Sequence, residues 1–97
     1  MGEQILTSKD GELFVNGKKV LKGWESFSGW YWFGIEKTRT QDSVIDGKVY
    51  ENDQIWFGLV QGLEEELGYF SQAEIESLSP KTWPIPQKSL HFSGRRN

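Results

Sequence analysis

The most aromatic segment of this sequence is WYWFGIEK, residues 30–37, and its pattern of an aromatic pair followed by glycine returns in QIWFGLVQG, residues 54–62. Both segments are too short and too aromatic for helices, so we expect two strands. Side chains alternate along a strand, so apolar residues fall on both faces, which indicates central strands covered on both sides. We predict that the two strands are antiparallel neighbours in which Gly34 and Gly58 let a backbone or a ring approach closely.

Two turn signals precede this aromatic pair of strands. Asp10-Gly11 and Asn16-Gly17 supply the positive φ angles that type I′ hairpins require, which predicts an N-terminal β-meander over residues 1–22. Residues with β propensity flank Asn16-Gly17 on both sides, whereas the turn at Asp10-Gly11 could be longer or bulged. Residues 22–29 are small, polar and interrupted by glycine, so we interpret them as a connection and not as a strand.

The segment between the aromatic strands, residues 38–53, is mostly polar. Its Asp46-Gly47 pair favours a short hairpin of Ser43–Ile45 with Lys48–Tyr50, and a mobile loop is the alternative. Three consecutive glutamates, Glu64 to Glu66, favour an exposed turn after the second aromatic strand.

One short helix is predicted near residues 71–79. Ser71 is its expected N-cap and Glu74 stands at the capping-box spacing. A short strand at residues 89–92 and a disordered tail at residues 93–97 would complete the chain. Together these elements predict an α+β fold in one domain, residues 1–97, with an antiparallel sheet of five to seven strands and N-terminal hairpins.

Composition narrows the function classes. The chain has 97 residues and no cysteine, which excludes disulfides, thiolate metal sites and a cysteine nucleophile. No apolar run reaches the roughly 18–20 residues that a membrane span needs, and the N-terminus has no signal-peptide pattern, so we expect a cytoplasmic protein without membrane partners.

Charge is unevenly distributed along the chain. The net charge is −3, but residues 42–76 contain nine acidic residues and one basic residue. If these acids share one face, the face would attract a basic partner protein, and a sharper version of this hypothesis is a nucleic-acid mimic. Most tryptophans should pack in the core, while one or two could mark a contact surface. The candidate binding residues are Trp24, Trp30, Glu51, Asp53, Glu64, Glu65 and Glu66.

Other functions are less well supported by the sequence. Direct nucleic-acid binding would use basic residues of the N-terminal hairpin, the first aromatic strand and the C-terminal tail, namely Lys18, Lys19, Lys22, Lys37, Arg39, Arg95 and Arg96. A small hydrolase would need a deep pocket that holds at least two of Glu36, Glu64, Glu66 and His91. Asp42, Asp46, Glu51 and Asp53 do not have the spacing of a calcium loop. We therefore expect a non-enzymatic protein with no catalytic residues, no metal site and no cofactor.

The segment from Trp30 to Ser79 resembles a known family. The matching motifs are an aromatic strand ending in Glu36, the sequence WFGLVQG at residues 56–62, the sequence EEELGYFS at residues 64–71, and EIE at residues 74–76. This pattern is similar to a small bacterial and archaeal family known as domain of unknown function 2958. The resemblance implies an accessory protein of plasmids, phages or other mobile elements with a compact α+β fold, and it implies no catalytic residues.

Overall fold

The computed structural model describes residues 5–86, which form eight strands and one helix. All strand pairings are antiparallel, so the predicted α+β fold, mostly β, is confirmed. The elements in chain order are β1 (Leu6–Lys9), β2 (Glu12–Val15), β3 (Lys18–Lys19), β4 (Lys22–Ser26), β5 (Tyr31–Ile45), β6 (Lys48–Gln61), β7 (Glu65–Ser71), α1 (Gln72–Glu76) and β8 (Thr82–Pro84). The strand and the tail predicted at residues 89–97 lie outside the described residues.

The first three strands form a separate sheet in the order β1-β2-β3. Both connecting turns are tight, since Lys9 pairs with Glu12 and Val15 pairs with Lys18. All four turn residues have positive φ, between 50° at Asn16 and 82° at Gly17, as type I′ turns require. The predicted turn at Asn16-Gly17 is therefore present, and the turn at Asp10-Gly11 is neither longer nor bulged.

The other strands form a five-stranded sheet in the order β7-β6-β5-β4-β8. Its centre is the long hairpin of β5 and β6, in which Gly34 lies opposite Gly58, so the predicted pairing of the two aromatic strands is confirmed. The hairpin continues to its tip, where Ile45 pairs with Lys48 around Asp46-Gly47. Residues 38–53 thus form the predicted hairpin and not a loop.

The expectation that residues 22–29 are only a connection is wrong. Residues 22–26 form β4, which lies between β5 and β8. Trp24 is 0% exposed in this strand, and Gly23 and Ser26 are also buried. The strand forms because β5 and β8 provide hydrogen-bond partners for its backbone on both sides. The sequence does not show the alternating burial of Trp24 and Ser26, because the residues around Trp24 are small or polar.

Two hydrophobic clusters lie on opposite faces of the five-stranded sheet. On one face, Phe33 and Leu59 pack against Val15 and Val20 of the N-terminal segment. On the other face a second cluster contains two tryptophans and a residue of the helix, namely Trp24, Trp56 and Ile75. The molecule therefore has three layers: the small sheet, the large sheet and the helix.

Helix α1 begins at the predicted N-cap. The Ser71 hydroxyl accepts a hydrogen bond from the Glu74 N–H at 3.0 Å and donates one to the Asp53 carboxylate. The same carboxylate accepts hydrogen bonds from the Ser43 hydroxyl at 2.7 Å and from the Ala73 N–H at 2.8 Å. Asp53 thus connects the β5–β6 hairpin to the start of the helix. The helix is shorter than the predicted range of residues 71–79, because it ends at Glu76.

Candidate functional site

The turn between β4 and β5 presents two large apolar side chains to solvent. Ser26 holds this turn closed, because its N–H donates to the Trp30 carbonyl at 2.9 Å and its hydroxyl accepts from the Trp30 N–H at 3.0 Å. Gly29, at φ 90°, allows the chain to reverse within three residues. Phe27 and Trp30 are consequently exposed on a turn whose backbone is fixed.

Trp30 is the central residue of an exposed apolar surface, which we call the Trp30 surface. Its indole packs against Gly62, where even an added Cβ would lie 2.3 Å from a ring carbon, and its ring centroid lies 6.2 Å from that of Trp32. The surface comprises Phe27, Trp30, Trp32, Leu63, Leu78 and, at its rim, Glu64 and Glu66.

Two depressions meet at Trp30. The first, of about 220 Å³, is bounded mainly by Phe27, Trp30, Trp32 and Leu78, and Lys81 also borders it. The second, of about 280 Å³, is bounded by Trp30, Val60, Leu63, Glu64 and Glu66, so that two carboxylates stand beside an apolar floor. Leu63 is 93% exposed and borders the second depression, so this depression has an apolar wall that is open to solvent.

The structure brings together three of the seven predicted binding residues. Trp30, Glu64 and Glu66 meet because β6 and β7 form a hairpin, in which Val60 pairs with Glu66. Glu65 alternates to the other side of β7 and accepts a hydrogen bond from Gln61.

Two of the predicted binding residues are corrected by their burial. Trp24 is 0% exposed and donates its indole N–H to the Glu76 carboxylate at 3.3 Å. Asp53 is 3% exposed and is occupied by the three hydrogen bonds at the helix start. Neither side chain can touch a partner in this conformation, so both belong to the interior of the domain.

The acidic residues of the central segment do not form one continuous patch. Glu64, Glu65 and Glu66 lie at one end of β7, and the helix acids Glu74 and Glu76 lie beyond its other end, about 20 Å away at roughly 3.3 Å per residue. Glu51 and Glu76 both border a depression of about 620 Å³. Asp42 and Asp46 border another with Glu74. The acids therefore form two groups.

Several basic residues of the nucleic-acid hypothesis already have partners. The Lys19 ammonium lies 3.4 Å from the Glu12 carboxylate, and the Lys22 ammonium lies 5.6 Å from the centroid of the Trp24 ring. Arg39 donates to the side chain of Gln41. Lys18 and Lys37 are exposed, and Arg95 and Arg96 lie outside the described residues. Within residues 5–86, Lys18 and Lys22 belong to different sheets.

The second depression contains two of the four residues named for a hydrolase, Glu64 and Glu66. Both are exposed, and the rest of the lining is apolar, so no second polar group of another type converges on them. Glu36 does not line it, and His91 lies outside the described residues. No group of three or more potential metal ligands occurs within residues 5–86, and no helix in that range is long and apolar enough to cross a membrane.

One titratable group with a shifted pKa, Tyr31, lies outside the Trp30 surface. A hydrogen bond from the Tyr31 hydroxyl to the Glu25 carboxylate, at 3.0 Å, raises the pKa of Tyr31, and partial burial adds to the effect. Glu25 and Tyr31 are directly opposite on β4 and β5. This pair stabilises the sheet and does not border the Trp30 surface.

Sequence reasoning missed part of the Trp30 surface. Phe27 and Leu63 could have been suspected, because each is a large apolar residue within a turn segment of polar and small residues. Leu78 lies beyond the last helical residue, Glu76, and is half exposed.

Comparisons with protein-family models, with curated proteins and with solved structures found no match to this chain. The resemblance of residues 30–79 to the family of unknown function stays a prediction.

Proposed function

We propose that this protein is a non-enzymatic interaction module whose Trp30 surface binds a basic segment of a partner protein. The observation that carries the proposal is the position of Trp30 between an apolar depression and a second one rimmed by Glu64 and Glu66. Aromatic anchors in apolar pockets supply most of the affinity of protein contacts, and rim charges select the partner. A segment with an apolar residue beside a lysine or arginine fits this arrangement.

A local contact fits the charge distribution better than a nucleic-acid mimic does. A mimic needs a continuous negative surface, whereas the carboxylates divide between the two ends of β7. The role of an accessory protein of a mobile element, acting in the cytoplasm, is part of the same proposal. Its support is the sequence resemblance between Trp30 and Ser79.

The test uses two synthetic peptides of equal length, one alternating lysine with leucine and one alternating glutamate with leucine. Binding is followed by the NMR signal of the Trp30 indole N–H, which Trp30→Phe identifies among the five tryptophans. We expect the basic peptide alone to shift this signal, with an affinity that falls as salt is added. Trp30→Ala should weaken binding about tenfold or more.

Two double variants with the same net charge distinguish the effect of the rim carboxylates on binding from the effect of net charge. Glu64→Gln with Glu66→Gln removes the rim carboxylates, while Glu51→Gln with Glu74→Gln removes two exposed carboxylates of the other group. We expect only the first pair to weaken binding and to reduce its salt dependence. Equal loss in both pairs, or an affinity indifferent to salt, would contradict the proposal.

A further inference from the structure

Strand β7 is an end strand of the five-stranded sheet, and no strand within residues 5–86 pairs with its outer edge. Two of its apolar side chains are exposed, Tyr69 to 66% and Leu67 to 40%. An unpaired edge presents a row of backbone N–H and C=O groups that another strand can use. The neighbouring Phe57 contacts Tyr69 edge to face, with ring centroids 5.1 Å apart, so the apolar row on this face already begins on β6.

The sequence of β7 is self-complementary about Gly68, which is its central residue. In an antiparallel pair of two β7 strands with Gly68 opposite Gly68, Leu67 faces Tyr69 of the second copy. In the same register Glu66 faces Phe70 and Glu65 faces Ser71, so no carboxylate faces another carboxylate.

Other registers of this pairing are less favourable. Centring the pair on Glu65 or Glu66 places like charges directly opposite, which is destabilising. Centring it on Leu67 or Tyr69 leaves two residues of each strand unpaired. The register at Gly68 pairs all seven residues. Nothing lies within 4 Å of the position that a Cβ of Gly68 would take, so the face of the sheet is open at this residue.

We propose that a second copy of this chain binds the edge of β7 and joins the two five-stranded sheets into one continuous sheet. The two-fold axis passes between the two Gly68 residues, and the interface is isologous. Leu67 and Tyr69 of each copy then form two equivalent apolar cross-strand pairs that extend the Phe57–Tyr69 contact. This association does not depend on the proposed function, because Trp30 plays no part in it and Glu66 is the one residue of the Trp30 surface that lies on β7.

Sedimentation of the full chain over a range of concentrations tests the proposal. We expect a reversible dimer whose dissociation constant rises about tenfold or more in Leu67→Lys with Tyr69→Lys, which places lysine opposite lysine twice. Leu67→Lys with Tyr69→Glu removes the same apolar pairs but places lysine opposite glutamate, and it should restore dimerisation. Circular dichroism and urea unfolding verify that both variants fold.

Cysteine crosslinking tests the register, because the chain has no cysteine of its own. A mixture of Leu67→Cys protein and Tyr69→Cys protein should form the mixed disulfide on oxidation faster than either protein forms its own. Thr7→Cys, at an exposed position of β1, gives the background rate of random crosslinking. A monomer at all concentrations overturns the proposal, as does a mixed crosslink no faster than this background.

Discussion

Gly58 is the residue at which the two central strands come closest. A Cβ at this position would lie 1.9 Å from the carbonyl oxygen of Phe33, which belongs to the backbone and cannot rotate away. Gly34, opposite, is covered by the ring of Trp56, 2.6 Å from where its Cβ would be. Glycine is therefore required at positions 34 and 58 because neighbouring atoms leave no room for a Cβ, and not because of its conformational freedom.

We expect Gly58→Ala to lower the free energy of unfolding by about 3 kcal/mol, because the methyl group forces the β5–β6 backbones apart. Urea unfolding followed by tryptophan fluorescence measures this change. Gly68→Ala is the matched control, since Gly68 pairs with Gly58 in the next strand and has open space above it. Similar losses in the two variants would show that strand propensity, and not the close approach, is responsible.

At the level of elements, Asp53 connects the hairpin tip to the helix. We expect Asp53→Ala to lower the free energy of unfolding by about 3 kcal/mol, because Ser43, Ser71 and the Ala73 N–H all lose a buried charged acceptor. Asp46→Asn is a control that removes a carboxylate from the same hairpin, at a turn position that asparagine adopts readily. Equal destabilisation by both variants would argue against the network.

Elements with local signals could be predicted from the sequence. The three Asx-Gly turns specify hairpins through backbone conformation alone, and Ser71 with Glu74 specifies a helix start. Strand β4 has no such signal, because its residues are mostly small or polar and its second neighbour, β8, is close only after folding. The burial of Asp53 has no local signal either, because the donors that make it possible come from elements distant along the chain.

At the level of the whole molecule, the candidate site combines predictable and unpredictable parts. Trp30 and Glu64 to Glu66 were identified as candidates from residue type and charge. Their meeting on one surface, and the separation of these glutamates from Glu51 and the helix acids, required the β6–β7 hairpin to be known. Charge counted along a sequence does not reveal which strand end each charge occupies, and the positions of these acids give the expected single acidic face no support.

The three-layer arrangement predicts that a substitution in one hydrophobic cluster opens only the outer layer that packs on that cluster. The strands of sheet β1-β2-β3 are short and, within residues 5–86, pair only with each other. The order of this sheet therefore depends on the packing of Val15 and Val20 against the large sheet. We expect Val15→Ala, at a position with 0% exposure, to lower the free energy of unfolding by about 2 kcal/mol. Hydrogen exchange of amides in residues 6–19 should accelerate most, while the amide of Trp24 keeps its protection.

Ile75→Ala, in the second cluster, provides the reciprocal measurement. It should accelerate exchange in α1 and leave the N-terminal sheet protected, because Ile75 packs against the opposite face of the large sheet. If either substitution accelerated exchange equally in both outer layers, the two layers would be coupled through the large sheet, and the molecule would open as one unit. Separate responses would show that each outer layer is held by its own cluster, with the five-stranded sheet as the common support for the Trp30 surface and the edge of β7.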